Sequence, residues 1–136
     1  MTVATEGVNL CYFDGKEWHS QGFYNPVLNI LALDIRLSDD DQKKVALHEL
    51  GHREHLPCNY QTNREKCELQ ANRNMIHHLL EAELKELDVS NFNYVRFMET
   101  YKLKTITDEA MVKEEFYNLI NIIYGRILWD FLIVPN

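Results

Sequence analysis

The chain has 136 residues, 46% of them apolar, with 14 basic against 21 acidic side chains and a formal net charge of −7. That length and apolar content suit a single globular domain, residues 1–136, with a real core. The acidic balance and the lack of any Lys/Arg cluster argue against direct nucleic-acid binding.

The N-terminus, Met-Thr-Val-Ala-Thr-Glu-Gly, lacks the charged and apolar regions of a signal peptide. Cys11, Cys58 and Cys67 are odd in number and form no CxxC. Plain reduced thiols in a cytoplasmic protein are expected. Residues 8–13 are rich in strand formers and precede Asp14-Gly15, a tight-turn signal. Residues 16–24 read as a returning strand ending near Asn25-Pro26, and a third strand is expected at about 28–35. The expectation is a small, three-stranded, mostly antiparallel sheet.

Ser38 is a good helix N-cap, and Asp39, Asp40 and Asp41 suit the positive end of the helix dipole. A helix from about 39 to 55 follows, stopped by Pro57. Ala46, Leu47 and Leu50 form its core edge. On its other edge lies His-Glu-Leu-Gly-His, residues 48–52. Residues four apart on a helix share a face, so His48 and His52 can ligate one metal ion, as in the HExxH zinc motif. Glu49 lies about 100° around the helix. It is the candidate general base, able to reach a metal-activated water.

Catalytic zinc takes three protein ligands and keeps one position open. Four residues compete for the third place. Glu68 sits on the next helix, 16 residues after His52. His55 lies on the His48 edge, but three ligands from one straight helix surround a tetrahedral ion poorly. Cys58 has a spacing used by another zinc-protease class, but His55 occupies the position where that class needs glycine. Asp34 has no spacing in its favour.

A second helix is expected over about 64–87, with Glu68, Asn72, Met75 and Leu79 on one stripe. Asn72, one turn after Glu68, can hydrogen-bond to a ligand. Leu69, Ile76, Leu80, Leu84 and Leu87 add apolar surface. His77 and His78 point elsewhere and read as surface or inter-helix contacts. Tyr60 and His55 are weaker candidates for contacts to a reacting carbonyl. Ser90 suggests a cap for a short helix at 91–101, and Thr107 for another at about 108–124. The apolar tail, 116–134, contains Arg126 and Asp130, each costing about 2.5–3.5 kcal/mol at a bilayer centre on insertion scales. It reads as a core-packing helix or a partner surface rather than a membrane span.

The string HELGH followed by Glu68-Leu-Gln-Ala-Asn-Arg73 resembles the ImmA/IrrE family of phage and mobile-element metallopeptidases. The similarity covers roughly residues 7–101, including the stretch 92–103. It departs from the family pattern at Gln70, where an acid is common, and at Asn74-Met75, where a small apolar pair is usual. The resemblance implies an α+β, zincin-like minimal fold: the sheet packed on the HExxH helix, with about three further helices. In it, residues 37–87 form the metal-binding helix pair and 88–136 a C-terminal helical part. It implies Zn2+ held by His48, His52 and Glu68, with Glu49 as the catalytic base. It also implies a zinc-dependent endopeptidase acting on a helix-turn-helix repressor of a mobile element. The alternatives are a non-proteolytic, metal-holding antirepressor and the toxin of a toxin–antitoxin pair.

Overall fold

The most apolar stretch of the N-terminal region, Ile30–Asp34, becomes the central strand of a three-stranded sheet. The structure is a computed structural model that describes residues 7–54 and 61–133, with Glu54 and residues 124–133 described by backbone alone. Strands β1 (Asn9–Phe13), β2 (Gly22–Asn25) and β3 (Ile30–Asp34) lie in the order β1-β3-β2. β1 runs parallel to β3 with Cys11 beside Ala32, and β2 runs antiparallel with Phe23 beside Ala32.

The first and third strands fall where expected, but the second is confined to Gly22–Asn25 rather than 16–24, and the sheet is mixed rather than mostly antiparallel. Asp14-Gly15 makes no hairpin. The Asp14 carboxylate accepts from the Lys16 N–H at 3.1 Å and caps a 3-10 turn over Gly15–Glu17. The tight connection falls instead at Asn25, whose Oδ1 accepts from the N–H groups of Val27 (2.9 Å) and Leu28 (3.1 Å). Asn29 closes it at φ 51°, a left-handed conformation that asparagine tolerates. Joining β2 to β3 this way leaves the other edge of β3 for β1. A parallel neighbour cannot be reached by a two-residue turn.

Asp34 locks the end of the sheet. Its carboxylate accepts from the Gly15 N–H (3.1 Å), the Arg36 N–H (3.0 Å) and Arg36 Nη2 (2.8 Å). A side chain on Gly15 would overlap that carboxyl, so glycine is required there. The Arg36 hydrogen bond, more than any other influence, holds the Asp34 carboxyl well below the usual carboxylate range.

Helix α1 (Asp39–Gly51) starts as its sequence dictates. Ser38 Oγ accepts from the Asp41 N–H at 3.2 Å. Its buried stripe, Gln42, Ala46 and Leu50, repeats every four residues. Ala46 and Leu50, with half-buried Val45, pack under Leu31 and Leu33, which are fully buried. Burying a side chain of that size stabilises by about 1.5–3 kcal/mol. Leu47 is only half-buried. Regular α geometry ends at Gly51, earlier than expected, and a 3-10 turn, His52–Glu54, follows.

Helix α2 (Arg64–Glu86) buries Cys67, Ala71, Met75 and Leu79 at four-residue intervals. Leu69 and Leu87, expected to pack, are about 40% exposed. The chain divides into two compact units inside this helix, 1–75 and 76–136. The second unit holds the end of α2, helix α3 (Tyr94–Thr100) and helix α4 (Ile106–Ile133). Its core includes Ile76, Leu80, Phe97, Met111 and Val112, and Phe92 stacks on Phe116 at 4.3 Å between centroids.

Both late helices are capped by residues other than those expected. Asn93, not Ser90, caps α3, its Oδ1 accepting from the N–H groups of Val95 and Arg96. Thr105, not Thr107, caps α4, accepting from the Asp108 N–H at 2.9 Å. α4 then runs on through the apolar tail to Ile133. Among the described residues no helix is long and apolar enough to cross a membrane.

Candidate metal centre

His48 lies near the end of α1, and His52 follows as its C-cap with backbone angles still in the right-handed helical region. The i, i+4 stacking therefore survives the end of regular helix. The two imidazoles meet edge to face, centroids 5.0 Å apart, with Nε2 atoms separated by 3.3 Å.

α2 brings the third group. A Cβ on Gly51 would stand 2.9 Å from Ala71 Cα, so the two helices are in close backbone approach here. Asn74 Nδ2 donates to the Leu47 carbonyl at 3.3 Å, a second tie across the same contact. Glu68, one turn before Asn72, then lies against both histidines. Its Oε2 is 3.0 Å from His48 Nε2 and its Oε1 is 3.5 Å from His52 Nε2. Asn72 reaches the far side of the His48 ring, Oδ1 to Nδ1 at 2.7 Å.

Among the described residues, His48, His52 and Glu68 form the one group of three or more histidine, cysteine or acidic side chains able to share an ion. The fit can be judged from the donors. Zinc bonds of about 2.0–2.1 Å at tetrahedral angles hold neighbouring donor atoms about 3.3 Å apart. The separations found are 3.0 Å from His48 Nε2 to Glu68 Oε2, 3.3 Å between the two Nε2 atoms and 3.5 Å from His52 Nε2 to Glu68 Oε1; they bracket that value, with each histidine facing a different oxygen of the carboxylate. Two imidazoles and a carboxylate suit zinc and other first-row ions alike.

Glu49 is half-buried beside this cluster. Burial pushes its carboxyl above the ordinary range; the charge on His48 opposes that rise and the charge on Glu68 adds to it.

Of the competing third ligands, Asp34 is committed to Gly15 and Arg36. His55, Cys58 and Tyr60 lie outside the described residues. His77 and His78 take no part in the cluster. His77 Nδ1 is 3.0 Å from Glu115 Oε2, tying α2 to α4 within the second unit, and burial lowers the pKa of His78. Cys11 and Cys67 form no disulfide. The sequence did not anticipate the role of Asn74. A polar residue at a helix position facing another helix, where a small apolar one would pack, was the available signal.

Comparison with curated proteins and with solved structures returned no match. A family model did match: Peptidase_M78, described as the IrrE N-terminal-like domain, over residues 3–116.

Proposed function

Because the chain belongs to the Peptidase_M78, or IrrE N-terminal-like, family of metallopeptidases, we propose that it is a zinc-dependent endopeptidase. In this reading His48, His52 and Glu68 hold the ion and Glu49 is the catalytic base. One observation carries it: a carboxylate from α2 meets the paired imidazoles of α1 at separations suited to a tetrahedral ion.

When bound, the ion would supply Lewis acidity, polarising a peptide carbonyl and making a water more acidic. The remaining work belongs to the chain. Glu49 accepts a proton from the attacking water as its oxygen adds to the carbonyl carbon. It then gives that proton to the departing amide nitrogen as the C–N bond breaks. One water is consumed, and a carboxylate and a protonated amine are released. Glu68 and the histidines stay in place, held by the α1–α2 contact.

The substrate we propose is a helix-turn-helix repressor of a phage or mobile element, cleaved in the cytoplasm to relieve repression. The resemblance of HELGH and of residues 68–73 to that family supports this choice. The net charge of −7 fits a partner that binds DNA through its own basic surface rather than a protein that binds DNA itself. The test is to incubate purified protein with the repressor encoded beside it. Wild type should cut it, and Glu49→Gln should keep its metal yet lose about 10²–10⁴-fold in rate. Cleavage by Glu49→Gln at the wild-type rate would refute the mechanism. Derepression in cells that survives Glu49→Gln would favour an antirepressor acting by contact alone.

A further inference from the structure

We infer that Asn72 is a positioning residue that decides which nitrogen of His48 is offered to the ion. This role presupposes the metal site proposed above and adds to it. A neutral imidazole carries one N–H and one lone pair, and either nitrogen can hold the proton. Asn72 Oδ1 sits 2.7 Å from Nδ1. An amide oxygen only accepts, so the proton belongs on Nδ1. The lone pair then falls on Nε2, the nitrogen 3.0 Å from Glu68 Oε2 and 3.3 Å from His52 Nε2. The same bond stops the ring from rotating away.

Asn72 stands four residues after Glu68, on the same face of α2. One helix therefore delivers a ligand and also orients another ligand that belongs to α1. The Asn74 bond to the Leu47 carbonyl fixes the α1 backbone one residue before His48, so ring and backbone are both held from α2. Asn72 is half-buried, which shields its hydrogen bond from competing water. The plain alternative is a helix–helix hydrogen bond with no bearing on the ion. Such a bond would change stability but not Zn2+ affinity.

Zn2+ affinity by chelator competition separates the two, measured for wild type, His48→Ala, Asn72→Leu and Asn72→Asp. Leucine keeps the bulk and removes the acceptor. Aspartate keeps an acceptor at the same reach. Asn72→Leu should bind Zn2+ about 10–100-fold more weakly, and Asn72→Asp should bind at least as tightly as wild type. In zinc-loaded protein, 15N NMR of His48 should find the ion on Nε2 and the proton on Nδ1 in wild type and Asn72→Asp, and a mixture of the two tautomers in Asn72→Leu. Thermal melts of each variant show whether it is folded. Wild-type affinity and tautomer in folded Asn72→Leu, with binding lost in His48→Ala, would overturn the role of Asn72 and leave the metal site standing. Equal Zn2+ binding by wild type and His48→Ala would overturn both.

Discussion

Gly51 and Ala71 touch backbone to backbone: a Cβ on Gly51 would come within 2.9 Å of Ala71 Cα and 3.3 Å of the Ala71 carbonyl oxygen. The obstacle is main chain, which cannot rotate aside as a side chain can. Gly51→Ala gains up to about 1 kcal/mol in helix propensity but forces the helices apart, at a cost of about 1–3 kcal/mol. We expect a net loss of stability in denaturant unfolding. Zn2+ affinity should fall as well, because Glu68 and Asn72 recede from the histidines with the helix. A Gly51→Ala protein of unchanged affinity would show that this contact does not set the site.

The start of α1 should behave as an ordinary capped helix. Ser38→Ala removes the acceptor for the Asp41 N–H. It should lower stability by about 0.5–2 kcal/mol, read from urea midpoints at constant slope. Zn2+ binding by the folded variant should be unaffected, since His48 lies almost three turns further on.

Asp34 gives the fold an acid-sensitive element. Its carboxyl is held below the ordinary range, first by Arg36. Because the folded-state pKa is depressed, the ionised form stabilises the fold above the unfolded pKa of about 3.9. That contribution is lost as pH falls through the folded-state value. Stability should therefore drop on acidification below about pH 4. Asp34→Asn should be less stable at neutral pH and should have a flatter profile below pH 4. A variant profile parallel to that of wild type would assign the acid sensitivity to other carboxylates.

Much of the site is legible in the sequence because it depends on local rules. The HELGH spacing fixes the imidazole pair whatever the tertiary fold, and Ser38 and the three aspartates announce where the helix begins. Spacing alone left four candidates for the third ligand; the resemblance of Glu68-Leu-Gln-Ala-Asn-Arg73 to the family pattern singled out Glu68, which lies against both histidines. Asn72 follows one turn later.

The sheet was harder because strand order depends on competition between strands. Asp14-Gly15 has the composition of a hairpin turn. The Gly15 N–H is instead drawn to Asp34 Oδ1, 19 residues away, a partner no local window contains. The apolar run ending in Ile30–Asp34 was a usable clue. A strand buried along nearly its whole length, as this one is, suits a central position. The helix caps went astray for a related reason. Ser90 and Asn93 are both competent caps. Asp88 binds the Ser90 N–H at 3.3 Å and draws Ser90 into a separate 3-10 turn, leaving Asn93 to start α3.

We propose that α1, with His52 at its C-cap, and α2 jointly hold one divalent ion. Zn2+ content and affinity of the purified chain, measured beside His48→Ala, His52→Ala and Glu68→Gln, test it most directly. One ion per wild-type chain is expected, with binding sharply weakened by each replacement, Glu68→Gln included. A chain that takes up no zinc, or one whose binding is untouched by Glu68→Gln, would contradict it.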